Sequence, residues 1–327
     1  MRTSGSDIAG EEGWKWSSVM ALTRNIESWR LRTRTLDLGR RTLVMGVVNI
    51  TPDSFSDGGN FLDANAAVRR GLELIEQGAD LLDLGAESTR PGSMVGAGDA
   101  AKVSAEEEQA RLLPVIEGIL KARAEAVISV DTYKAVTAKA ALRRGAEIIN
   151  DVSGFAWDPG MPEICAEARC GVVLMHTRGH PDEWQGQQKL PADDLMEMVR
   201  GGLAENVRRA TDGGVAAESI VLDPGFGFGK KFDENYVLLA RQAELLEAGR
   251  PLLAGLSRKS FLGHTLSGLY GGSPAPVEAR ENASLAAMVT AILHGASIVR
   301  VHDVRPAMEA ARIADAVLLN ALTSRGV

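Results

Sequence analysis

VISVDTYKAVTAKAALRRGAEIIND, residues 127–151, contains one complete unit of the fold. Val127–Asp131 is a short β-branched run of strand length. Lys134–Arg143 is rich in alanine and charge and of helix length. Gly145 then accepts the left-handed backbone that ends a helix, and Ile148–Asp151 is a second strand. Two apolar strands joined by a helix form the crossover that a parallel sheet requires.

Working outward, the unit repeats along the chain. Strands are expected at Leu43–Ile50, Leu81–Glu87, Val127–Asp131, Ile148–Asp151, Gly171–His176, Ile220–Asp223, Pro251–Leu256 and Ile298–His302. Helices are expected at Asn65–Gln77, Ala105–Ala122, Lys134–Arg143, Met161–Ala168, Asp193–Thr211, Asp233–Ala248, Ala279–His294 and Pro306–Leu322. Several strands are apolar almost throughout, as strands buried on both faces must be. The junctions QGAD, RGAE and HGAS place glycine between helix and strand. Eight such units in a row predict an α/β chain closed into a (β/α)8 (TIM) barrel. The alternative, an open doubly wound sheet, would show a glycine fingerprint after its first strand, where this chain reads NITPDSFSDGG.

A single barrel domain is therefore expected over residues 36–327, behind an N-terminal extension of residues 1–35. Trp14, Trp16 and Trp29 could pack a helix of that extension on the barrel floor; the plainer expectation is a partly ordered segment without chemistry. Leu36–Gly46 is expected to form a hairpin plugging the barrel bottom. The chain has 327 residues, 45% hydrophobic and 24% charged, with a net charge of -7. No long Lys/Arg run suggests a nucleic-acid footprint. No run approaches the roughly 18 apolar residues of a membrane span. The sparse cysteines, Cys165 and Cys170, and the absence of a secretory pattern fit a reduced, cytoplasmic setting. Small molecules are the expected partners.

In a barrel of this kind the chemistry sits where the strands end. The expected strands end at Asn49, Glu87, Asp131, Asn150–Asp151, His176, Asp223, Ser257–Lys259 and Arg300–His302. Any one of these aspartates has a local reading as a cap or turn residue. Together with Asn49, Lys259, Arg300 and His302 they suit a ligand with a flat hydrogen-bonding part and a strongly anionic part. Cations at buried strand ends need an anion or a carboxylate.

The motif series MGVVNITPDSFSDGG (45–59), ESTRPGS (87–93), SVDTYK (129–134), INDVSG (149–154), LDPGFGFGK (222–230), LSRKS (256–260) and RVHDV (300–304) resembles that of the dihydropteroate synthases, in order and from about Leu36 onward. One departure is Ala86, where many members have glycine. The resemblance implies transfer of a pterinylmethyl group from a dihydropterin diphosphate to p-aminobenzoate. It implies catalytic roles for Asn49, Asp131, Asp223 and Lys259. It places Asp131, Asn150, Asp223 and Lys259 around the pterin, whose alternating donors and acceptors such side chains satisfy pairwise. Met175 and Phe228 would cover the ring, although core packing explains them equally well. Asn49, Thr89, Arg90, Arg300 and His302 would hold the diphosphate, and Mg2+ would bridge phosphate oxygens to Asn49. Phe55, Pro91, Phe228 and Ser260 would surround p-aminobenzoate beneath loops 51–62 and 88–103. A homodimer packed through the Ala-rich segment Glu281–His294 is also implied.

Other readings carry less. Methyltetrahydrofolate-dependent methyltransferases and non-catalytic pterin binders have no need of the full anion-binding set. Zinc at His176, Cys165 and Cys170 has no fitting spacing. GFGFGK matches neither common phosphate-loop pattern. The insert Thr177–Pro191, with Trp184, is expected to be a solvent-facing loop.

Overall fold

The computed structural model describes residues 27–50, 60–87 and 103–323. The described elements, in chain order, are β1 (Glu27–Arg30), β2 (Thr35–Leu38), β3 (Leu43–Asn49), α1 (Asn60–Glu76), β4 (Leu81–Gly85), α2 (Ala105–Ala122), β5 (Ile128–Asp131), α3 (Ala135–Arg143), β6 (Ile148–Asp151), α4 (Met161–Ala168), β7 (Gly171–Met175), α5 (Ala192–Asp212), β8 (Ile220–Asp223), α6 (Phe232–Ala240), β9 (Leu252–Ala254), α7 (Ser260–Thr265), α8 (Glu281–Leu293), β10 (Ala296–Val301) and α9 (Val304–Thr323). Strands β3 to β10 pair in parallel, and β10 closes onto β3. The expected barrel is therefore present. The helix expected at Asp233–Ala248 is divided, with α6 giving way at Arg241 to a 3-10 stretch, Gln242–Ala248.

The hairpin differs from expectation. It is built from β1 and β2, with Trp29 opposite Leu36 and Arg30 opposite Thr35. Leu43 already belongs to the barrel, where β4 and β10 take both of its strand's edges. The antiparallel partner of β2 must therefore come from upstream, within the expected extension. Trp29 lies on a strand and not on a helix; Trp14 and Trp16 fall outside the described residues.

The hairpin plugs the floor. Trp29, Leu31 and Leu38 are buried against the inward side chains Leu43, Met45, Leu81, Val127, Ile148, Val173, Val221, Leu253 and Ile298. The Trp29 indole donates to the Ser219 carbonyl at 2.8 Å, and the Thr33 backbone N–H donates to Glu147 at 2.9 Å. Truncating Trp29 leaves a large apolar void and an unpaired carbonyl. Trp29→Ala is expected to lower unfolding free energy by about 3–5 kcal/mol, read as a shifted urea midpoint with unchanged slope. A shift worth less than about 1 kcal/mol would mean that the floor closes without this residue.

Side chains two residues apart on a strand face the same way. Moving up each strand from the apolar floor, the inward positions turn polar: Leu81 leads to Asp83, Val127 to Ser129 and Asp131, Ile148 to Asn150, Val221 to Asp223, and Ile298 to Arg300 and His302. The barrel is thus an apolar plug below and a polar well above. A second core cluster packs the outward strand faces, including Val44, Leu82, Val130 and Val299, against the helices.

Candidate active site

At the centre of the well is Asp83, on β4 and fully buried. It accepts hydrogen bonds from Ser129 Oγ at 2.6 Å, Asn150 Nδ2 at 3.1 Å and Arg300 Nε at 2.6 Å. The Arg300 Nη2 donates to Asp131 at 2.8 Å. One guanidinium therefore spans two carboxylates from different strands. Burial works against its charge, but Asp83 and Asp131 outweigh that and hold its pKa above the ordinary arginine value. Burial likewise pushes the Asp131 carboxyl well above its usual range, with Arg300 opposing and Asp83 reinforcing. Asp83 was not among the residues expected from sequence. It stands two residues before the end of its strand, so only counting inward positions would have found it.

Asp223 closes the opposite side of the well. Its Oδ1 accepts from the Gly225 N–H at 2.7 Å. Burial raises its pKa, against that hydrogen bond and the nearby Lys259. Burial also brings the Lys259 ammonium down to about 8, with Asp223 holding it up. Lys259 Nζ lies 4.1 Å from the centroid of the Phe228 ring, a cation–π contact.

Phe228 is presented by a loop of three alternating glycines. Gly225, Gly227 and Gly229 have φ of 71°, 81° and 70°. A Cβ at Gly225 would meet the His176 carbonyl oxygen at 1.9 Å, so the sequence GFGFG answers a need for close backbone approach. The Gly227 N–H is taken by Asn235 Oδ1 at 2.6 Å. The motif is a packed wall of the site and not a phosphate loop.

The other expected residues are distributed around the rim. Asn49 ends β3 beside Gly85. His302 Nδ1 lies 3.0 Å from Ser257 Oγ, which also accepts from the His302 N–H at 3.3 Å. Met175 ends β7, nearly buried, and Ser260 opens α7. Neighbouring Arg258 turns away to pair with Asp303 at 2.8 Å. Glu87 is held by Tyr133 at 3.2 Å and by Lys134, which also reaches Glu108 at 3.1 Å. Phe55, Thr89, Arg90 and Pro91 lie outside the described residues.

Three local readings resolve. Asp151 accepts from the Ser153 and Phe155 backbone N–H groups and serves its own turn. Cys170 Sγ rests 3.7 Å from the Cys165 carbonyl, and no cluster of three or more metal-ligating side chains occurs among the described residues. The insert is more than the expected solvent-facing loop: Trp184 is buried, its ring perpendicular to that of Phe228 with centroids 5.4 Å apart. An indole beside a loop-borne phenyl ring is removed from water more readily than a polar insert suggests.

The family model for pterin binding enzymes matches residues 45–302. Over 275 residues the chain is 44% identical to the dihydropteroate synthase of Escherichia coli K12, covering 84% of this chain and 91% of that one. It is 38% identical to the mitochondrial folate synthesis bifunctional protein of Pisum sativum, covering 97% of this chain but only 59% of that relative. Among solved structures, dihydropteroate synthase of Xanthomonas albilineans with 4-aminobenzoic acid superposes with a TM-score of 0.77 at 41% identity, covering 90% of this chain and 98% of that one. With the barrel and its polar well, these similarities lead to one assignment: the chain belongs to the dihydropteroate synthase family of pterin-binding enzymes.

Proposed function

We propose that the protein condenses 6-hydroxymethyl-7,8-dihydropterin diphosphate with p-aminobenzoate to give 7,8-dihydropteroate and diphosphate. The observation that carries this reading is the polar well, where inward carboxylates, an amide and two cations meet above an apolar floor. Asp131, Asn150, Asp223 and Lys259 supply the alternating acceptors and donors that a pterin edge requires. Arg300 offers its remaining N–H groups to the anionic end, joined by Asn49, His302, Thr89 and Arg90. Phe228 and Ser260, with Phe55 and Pro91, form the arylamine pocket.

In this mechanism the methylene–oxygen bond breaks with its electrons going to diphosphate. The methylene becomes cation-like beside Asp131 and Asp223, and the neutral arylamine attacks it and loses a proton. Arg300 and His302 stabilise the departing anion. Mg2+ would be held by Asn49, whose amide carries an oxygen donor at the end of β3, since a hard cation carried by substrate phosphates needs few protein ligands. When bound it would neutralise phosphate charge. No helix among the described residues is long and apolar enough to cross a membrane. A cytoplasmic location and a homodimer packed through Glu281–His294 complete the proposal; sedimentation showing only monomer at micromolar concentration would remove the dimer.

The test mixes protein, Mg2+, the pterin diphosphate and p-aminobenzoate, and follows diphosphate and dihydropteroate together. Product requiring every component supports the reading. Pterin binding without product would point instead to a methyltetrahydrofolate-dependent or non-catalytic binder. Asp131→Ala is expected to cut kcat by about a hundredfold, more than it weakens pterin binding. A fall in affinity alone, with turnover intact, would remove Asp131 from the chemistry.

A further inference from the structure

Lys230 follows the glycine loop, and its side chain is 7% exposed. A buried ammonium normally meets a carboxylate. This one meets neutral acceptors instead: Gly225 O at 2.8 Å, His176 Nδ1 at 3.0 Å, and the carbonyls of His176 and Phe228 at 3.3 Å each. No ion pair to Lys230 is formed among the described residues. Burial accordingly draws its pKa down to about 7. Such a costly arrangement calls for a purpose beyond stability.

The loop's own hydrogen bonds indicate one. Gly225 N–H goes to Asp223, Gly227 N–H to Asn235, and Phe228 N–H back to Gly225 O at 3.1 Å. All of these are local in sequence. Lys230 alone among these loop contacts reaches across to the end of β7, at His176, 54 residues away. Because Nζ grips both Gly225 O and Phe228 O, it fixes the two ends of the turn that aims the Phe228 ring. That ring in turn contacts the Lys259 ammonium and lies perpendicular to the Trp184 indole.

We propose that Lys230 is a positioning residue that fastens the 225–229 loop to β7 and so sets the pose of Phe228 as a wall of the arylamine pocket. This rests on the synthase reading above. It assigns Lys230 no contact with substrate or with the reacting atoms. It accounts for the four neutral acceptors gathered on one ammonium: they are the two ends of the loop and the strand end against which the loop must sit. Removing the ammonium frees the loop to shift while Asp131, carried on β5 and held by Arg300, stays in place.

The experiment compares wild type, Lys230→Met, Phe228→Leu and the double variant, with KM measured separately for each substrate. Wild-type turnover tests the synthase reading, and the variants test the tether. Lys230→Met is expected to raise the KM for p-aminobenzoate about tenfold, and that for the pterin diphosphate less than about twofold. Added to Phe228→Leu, it should have little further effect, since both act on one contact. A merely structural lysine would lower the active fraction and leave both KM values unchanged. Unchanged KM values, or additive effects in the double variant, would overturn the proposal. If Lys230→Met does not fold, Lys230→Gln, which keeps a shorter neutral donor, is read by the same two outcomes.

Discussion

Replacing Arg300 by alanine is expected to reduce diphosphate release by about a thousandfold and to destabilise the fold at the same time. The two losses have different origins. Turnover falls because the guanidinium would stabilise negative charge that develops only as the leaving group departs. Stability falls because Asp83, fully buried, loses the charge that compensates it at 2.6 Å. Breaking such a pair from one side costs about 3–5 kcal/mol. The two effects can be separated. Adding Asp83→Asn to Arg300→Ala should restore most of the urea midpoint and none of the turnover. If turnover returned with stability, Arg300 would be a structural strut and not part of the anion site.

Gly225→Ala is expected to be the next most damaging change, from a single methyl group. Its backbone is left-handed at φ 71°, and the new Cβ would stand 1.9 Å from the His176 carbonyl oxygen. Neither atom is the end of a flexible side chain, so the loop itself must move. That motion breaks the Gly225 N–H bond to Asp223 and displaces Phe228 from Lys259. Misplacing a substrate-facing wall by about 1 Å costs on the order of a hundredfold in kcat/KM. By contrast Gly268→Ala, where a Cβ meets nothing within 4 Å, should leave kcat/KM within about twofold. Equal kinetics for the two variants would show that the loop tolerates displacement.

The barrel was legible because its strands are buried on both faces, so continuous apolar runs mark them clearly. Asp131, Asn150 and Asp223 were legible because they end those runs. Asp83 was not, because a lone aspartate inside LLDLG looks like a break in a strand until inward parity is counted. Lys230 closes the GFGFGK motif, but three of its four partners are backbone carbonyls, which a sequence does not display. The Trp184 contact escaped for a similar reason: it joins an insert after β7 to a loop after β8, and neither segment is periodic. The hairpin was displaced upstream because β1 buries only Trp29 fully, leaving a pattern too thin to read as a strand.

The Trp29 indole and the Ser219 carbonyl are 190 residues apart. Loop-closure entropy grows only slowly with such a span, but the contact cannot form until both of its ends exist. During synthesis the plug therefore lacks its contacts with Val173, Val221, Leu253 and Ile298 until β7 to β10 have emerged. The half-made barrel is thus a species with an open, greasy base, and its hazard is self-association before the last strands arrive.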